Sequence, residues 1–305
     1  MFDHLTTEAR NPASDDLDGL SAIEIVQLIN SEDAKVAAAV AEQSEAIARA
    51  IDAIAERLAR GGRLIYIGAG TSGRLGVLDA VECPPTFNTH PSQVVGVIAG
   101  GYAALTSAVE GAEDRHELAV DDLKKVRLTD GDVLVGIATS GRTPYVLGGL
   151  EYAQSIGAFT VGVSCNRDSE LSTCCDISIT VVVGPEVVSG STRLKAGTAT
   201  KMVLNMLSTG AMVRLGKTYR NLMVDLRATN TKLADRARRI VREITKLSPA
   251  ESEKLLLECG GEVKTAIVRH DRGVSATEAR QLLSASHGHL RKALENRATN
   301  NGNVR

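Results

Sequence analysis

Three stretches of the chain combine glycine with hydroxyl side chains: "GAGTSGR" at 68–74, "ATSGRTP" at 138–144 and "EVVSGSTRLKAGTATK" at 186–201. Each follows an apolar run and leads into a helical pattern. Small residues let the main chain approach an anion. Hydroxyls and the free N–H groups of the next helix then bind it. Two or three such loops at one sheet edge suit a compact sugar phosphate. The expected contacts are Gly70, Thr71 and Ser72 in the first loop, Ser140, Gly141, Arg142 and Thr143 in the second, and Ser189, Ser191 and Thr192 in the third. A Ser or Thr that caps a helix can serve both duties. Arg74 and Arg142 fit a bidentate grip on an anion or a surface ion pair equally well. Lys195 and Lys201 lie six residues apart on the third helix, so at most one faces the ligand, and Lys195 is the candidate. The helix after the first loop carries a carboxylate, Glu82, set against Cys83, Pro84 and Pro85.

Gly68, Gly70 and Gly73 also match the G-x-G-x-x-G of a dinucleotide site. That site wants an acid at the end of the second strand, and here the chain reads "VIAGGYAAL". A dinucleotide also leaves the repeated Thr-Ser-Gly-Arg, at 71–74 and 139–142, without a purpose. No nucleotide cofactor is expected. His116, His287 and His289 lack a third ligand at fitting spacing, so no metal is expected either. Cys83 has no His beside it in sequence and reads as a small buried thiol.

The loops need a frame. Residues 63–68, 94–100, 132–140, 158–165 and 176–183 are continuous apolar runs separated by helical stretches. This pattern predicts a mostly parallel five-stranded sheet covered on both faces, a three-layer α/β/α sandwich, with ligands at the carboxyl ends of its strands. A helix is expected from Ser21, and one long helix over 34–58 carries an apolar stripe that ends at Gly61-Gly62. A further helix is expected from Ser191 to Leu215 and a basic amphipathic one over 231–246. The tail then breaks at Gly260-Gly261, Gly273 and Gly288, which predicts a small C-terminal helical bundle. The expected division is 1–60 as N-terminal helices on the core, 61–230 as the sheet domain and 231–305 as the helical domain.

Composition narrows the partners. The 305 residues carry a net charge of −2, which points to neither nucleic acid nor an anionic membrane. Aromatics make up 3% and Trp is absent, so sugar recognition should run through hydrogen bonds. Five cysteines without a C-x-x-C pair, a polar acidic N-terminus and no long apolar run predict a cytoplasmic protein.

The loops resemble the sugar isomerase (SIS) phosphosugar-binding fold. A closer resemblance covers nearly the whole chain. "LTTEARNP" (5–12), "YIGAGTSGRLGVLDAVECPPTF" (66–87), "VEGAED" (109–114), "ATSGRTPYV" (138–146), "GSTRLKAGTATKMVLNMLST" (190–209) and "LSPAESEKLLLECGGEVKTAIV" (247–268) are similar to the N-acetylmuramic acid 6-phosphate etherases. The resemblance implies cleavage of the D-lactyl ether of a phosphosugar with water, in cell-wall sugar recycling. It also implies no metal or redox cofactor, and a homodimer. Glu186 lies where SIS isomerases often hold a carboxylate and is expected to bind a sugar hydroxyl. Thr7, Glu8 and Asn11 match the family's N-terminal motif and are expected near the site, from this chain or a partner. The tail, 247–298, resembles ubiquitin-associated three-helix units.

Glu82 and Glu113 resemble the family's two catalytic glutamates. Taken alone, Glu82 would be a surface helix residue and Glu113 a solvated acid. Pro84 predicts that the helix stops at Cys83, leaving Glu82 at the negative end of the dipole, as suits an acid. Glu113 precedes a helix, whose positive end suits a base. Two other functions compete. A sugar-phosphate-binding regulator related to glucokinase regulatory protein would have two SIS domains in about twice the length. An aldose–ketose isomerase would leave the glutamate pair idle.

Overall fold

The computed structural model describes residues 6–226 and 231–295. They form two compact units, one of 6–82 with 90–211 and the other of 83–89 with 212–295.

In the larger unit, short 3-10 turns at Pro12–Ser14 and Leu17–Gly19 lead to α1 (Ala22–Asp33), opened by a Ser21/Glu24 capping box. The helix expected over 34–58 is two: α2 (Val36–Ala41) and α3 (Ser44–Ala59). The break has one local cause and one tertiary one. Ser44 Oγ donates to the Ala41 carbonyl at 2.6 Å, and Gln43 turns its side chain away to accept the Thr180 N–H at 3.1 Å.

β1 (Leu64–Gly68), α4 (Gly70–Phe87), β2 (Val94–Ile98), α5 (His116–Lys125), β3 (Val133–Ile137), α6 (Pro144–Ser155), β4 (Phe159–Ser164), α7 (Glu170–Thr173), β5 (Ile177–Thr180) and α8 (Lys195–Arg214) follow. All five strands are parallel, in the order β2-β1-β3-β4-β5. β1 and β3 are buried along their whole length, which is why they read as unbroken apolar runs. One face packs Ile65, Ile67 and Leu134 against Leu123 of α5 and Val146 and Leu150 of α6. Toward the other, Tyr66 donates to Asp79 of α4 at 2.8 Å, and Asp79 also accepts from Asn205 and Ser208 of α8. The α/β/α sandwich is therefore present.

α4 does not stop at Cys83. It runs through Pro84 and Pro85 to Phe87. The prolines remove two N–H donors. Cys83 and Phe87, four apart and both buried, anchor the extra turn, and Asn88, at φ 52°, closes it with an N–H to the Pro84 carbonyl.

The smaller unit opens with a hairpin of β6 (Thr218–Tyr219) and β7 (Leu222–Met223) and continues with α9 (Thr231–Thr245), α10 (Pro249–Glu258), α11 (Val263–Arg272), α12 (Ala276–Ala285) and α13 (Leu290–Glu295). Its core holds Val224 and Leu226 with Val241, Ile267 and Leu290. Residues 212–226, expected with the sheet domain, accordingly pack with the helices. The glycine breaks fall where expected, with Gly261, Gly273 and Gly288 all left-handed. Residues 227–230, which include the expected boundary at 230, and 296–305 of the expected helical domain lie outside the described residues.

Candidate active site

The strand order reverses direction between β1 and β3, so the loops that follow them part at a crevice. Gly68 and Ile137, the last residues of the two strands, are direct partners in register. The first and second loops therefore leave the sheet side by side. Gly68 also carries the turn: a Cβ there would meet the Gly73 N at 2.8 Å. The third loop joins them at α8, where Thr71 Cγ2 lies 3.8 Å from the place a Cβ on Gly197 would take. Thr71 and Ser72 thus sit in the first turn of α4, and Thr143 is the N-cap of α6.

Ser72 is buried, Ser140, Thr143, Ser191 and Thr192 are half-buried, and Ser189 is exposed. Ser140 Oγ accepts the Arg142 N–H at 3.3 Å. The Thr143 side chain makes no cap bond. The two arginines separate. Arg74 donates to the carbonyls of Leu105 and Ser107, both at 3.3 Å. Arg142 Nε is buried with no protein partner.

Glu82 is exposed, on the sixth residue from the end of α4, outside the last turn. The expected placement at a helix terminus does not hold. Glu113 is exposed in the turn before α5, and its carbonyl accepts the Tyr145 N–H of α6 at 3.0 Å. The segment between β2 and α5 is held by this bond, by Arg74 and by the close approach of Val109 to Gly100.

Glu186 and Lys195 have inward partners. Glu186 is fully buried, and its two oxygens accept the N–H groups of Lys195 and Ala196, each at 3.0 Å. Lys195 is 1% exposed, and its ammonium pairs with Glu32 of α1. Lys201 is exposed. Glu32 was not legible from sequence, because an acid in the last turn of a helix, beside a second acid at Asp33, carries no signal. Burial alone would push its carboxyl up, but hydrogen bonds from Lys195, Lys35 and Asn11 outweigh that and hold it at about 2. Asn166, two residues past the end of β4, was also missed, although its place just beyond a strand's carboxyl end marked it. It joins Thr7 to the Thr139 carbonyl, so the N-terminal segment of this same chain crosses the strand ends.

Burial pushes the Cys165 thiol up to about 12, and Cys83 is buried. Among the described residues no three His, Cys, Asp or Glu side chains gather as a metal site requires, and no helix is long and apolar enough to cross a membrane.

The model of the SIS domain matches residues 105–210. Those of the glucokinase regulatory protein N-terminal SIS domain and of its C-terminal lid domain match 46–154 and 220–264. A protein of Rhodopirellula baltica named N-acetylmuramic acid 6-phosphate etherase is 64% identical over 96% of this chain and 97% of its own. The chain belongs to the N-acetylmuramic acid 6-phosphate etherase family. An etherase of Streptomyces avermitilis is 58% identical over 95% of this chain and 93% of its own. This full-length likeness to etherases sets the regulatory-protein reading aside. The etherase chain shares its fold with a crystal structure of a putative phosphosugar isomerase from Bacteroides fragilis, at TM-score 0.50 and 22% identity over 64% of this chain and 91% of that one.

Proposed function

We propose that the protein cleaves the D-lactyl ether of N-acetylmuramic acid 6-phosphate with water, giving N-acetylglucosamine 6-phosphate and D-lactate in cell-wall sugar recycling. The observation that carries this is the full-length identity to etherases, with both glutamates exposed in the unit that gathers the three loops.

The open-chain sugar has an aldehyde at carbon 1, which acidifies the proton on carbon 2. Glu113 takes that proton as a general base. The electron pair first rests as an enolate over carbons 2 and 1 and the aldehyde oxygen, and then forms a double bond between carbons 2 and 3 as the bond from carbon 3 to the lactyl oxygen breaks. Glu82 protonates the departing oxygen. Glu82, then a carboxylate, takes a proton from water as the water oxygen bonds to carbon 3, and Glu113 returns its proton to carbon 2. Each role belongs to ordinary general acid–base chemistry, and the class is a carbon–oxygen lyase.

In this reading the N-terminal turns of α4 and α6, with Gly70, Thr71, Ser72, Ser140, Gly141 and Thr143, hold the phosphate and sugar hydroxyls. Ser189, Ser191 and Thr192 close the third side. Arg142 takes an anionic group of the substrate, since its Nε has no protein partner while Arg74 is engaged by two carbonyls. Glu186 and Lys195 act from behind, shaping the loop that carries the hydroxyls.

We further infer a cytoplasmic homodimer. A groove of about 630 Å³ between α2–α3 and α8 is lined by Ala41, Ala48, Ile51, Met202 and Met206, and a second copy of the chain is the occupant that the family likeness supports.

Incubation with N-acetylmuramic acid 6-phosphate should release D-lactate. Phosphosugar binding without lactate release would favour a sensor instead.

A further inference from the structure

Glu32 stands in a closed ring of buried polar groups at the base of the third loop. Its carboxylate accepts from Lys195 Nζ and, at 3.0 Å, from Asn11 Nδ2. Asn11 Nδ2 also donates to the Pro185 carbonyl at 3.3 Å. Pro185 is bonded to Glu186, and Glu186 accepts the Lys195 N–H at 3.0 Å. Both ends of the loop, 185–186 and 195, are therefore fixed to each other and to two outside points, α1 and the N-terminal segment.

We propose that Glu32 is a positioning residue for the phosphosugar: through Lys195 and Asn11 it holds residues 185–195 in the shape that receives the ligand. This rests on the assignment of the third loop to the substrate. Between its ends, among the described residues, the main-chain bonds inside the loop are turn bonds, Ser191 to Val188, Thr192 to Gly190 and Leu194 to Ser191, and Leu194 also accepts the Thr198 N–H of α8. Where Ser189, Ser191 and Thr192 stand is thus set by where the base stands. Stability alone does not explain the pair. Glu32 is 3% exposed and Lys195 1%, and a buried ion pair is commonly matched or exceeded in stability by apolar side chains of like volume. What apolar side chains cannot supply is the directional tie from one carboxylate to both ends of a loop. Lys35, at the rim, adds a second cation on Glu32 and leaves Lys195 to the interior.

The test uses the full chain, with N-acetylglucosamine 6-phosphate binding by calorimetry and thermal unfolding read in parallel. Two variants are compared with the natural protein. The double variant Glu32→Leu with Lys195→Met removes the pair without leaving a buried charge. Asn11→Leu cuts the tie to Pro185 and touches neither charge. The double variant should melt within a few degrees of the natural protein yet bind the phosphosugar on the order of 10²-fold more weakly, the scale of a misplaced binding group. Asn11→Leu should weaken binding about tenfold, and in lactate release it should raise KM while kcat stays within about threefold, because Glu82 and Glu113 lie on other segments. Natural affinity in both variants would overturn the proposal. So would loss in the double variant alone, which would make Lys195 a direct contact. If the double variant does not fold, Asn11→Leu decides. Binding is read without turnover, so a natural protein that binds the phosphosugar but releases no lactate would sink the etherase activity and leave the ring tested. A natural protein that does not bind it would end both.

Discussion

The carbonyl oxygen of Glu113 accepts the main-chain N–H of Tyr145 at 3.0 Å. Tyr145 is the second residue of α6, directly after the loop that carries Ser140, Gly141 and Thr143. One peptide contact therefore joins the candidate base to the candidate phosphate loop. It sets Glu113 beside the N-terminus of α6 as well as before that of α5. Glu82 has no such neighbour, because α4 continues five residues beyond it. The acid role proposed for it follows from the base role proposed for Glu113.

The two glutamates should fail differently. Glu113→Gln should abolish exchange of the carbon 2 proton with deuterated solvent and every later step. Glu82→Gln should stop lactate release while exchange stays detectable by NMR, since that proton leaves before the ether bond breaks. Each should lose roughly 10²–10⁴-fold in lactate release. The opposite pattern of exchange would reverse the roles.

Ser72→Ala and Ser140→Ala should each weaken phosphosugar binding by about 1.5–3 kcal/mol, the worth of a hydrogen bond to a charged oxygen. Titration calorimetry reads this directly. Unchanged affinity in both variants would remove these hydroxyls from the site.

The Glu32 carboxyl is held at about 2 against its ordinary 4.5. A depressed folded-state value means stability that is present above 4.5 and lost as pH falls through 2. The shift corresponds to on the order of 3 kcal/mol. Glu32→Gln should therefore lower the melting temperature at neutral pH, leaving Lys195 buried and unpaired, and flatten the acid limb of stability against pH. A variant curve parallel to that of the natural protein across this window would contradict the pairing.

Met206 is exposed beside the apolar groove between α2–α3 and α8. If a second copy covers that groove, Met206→Glu should shift sedimentation from twice the chain mass toward the 32.2 kDa of one chain. A natural protein that already sediments as one chain at micromolar concentration would exclude the arrangement.

Much of the frame is local and was legible in the chain. β1 and β3 are apolar because both of their faces are buried, so their runs are unbroken, and Gly261, Gly273 and Gly288 end helices because each takes a left-handed conformation. The glycine and hydroxyl loops follow from the same local rules, and the glutamates from their surrounding motifs. The end of α4 was misjudged because Pro84 acts locally, while the burial of Cys83 and Phe87 that carries the helix onward is tertiary. The same holds for Glu32, Asn11 and Lys195. They are far apart in the chain, and although Lys195 and Asn11 stood out in sequence as a ligand candidate and a motif residue, nothing there joined them to each other or to Glu32. Only packing removes the water around them, and a buried charge must then find a partner. Sequence by itself marked the glycine and hydroxyl loops proposed to meet an anion, because their residue types are local. Tertiary structure decided that Arg142 Nε is left without a protein partner, while Lys195 pairs with Glu32 and Glu186 accepts the first N–H groups of α8.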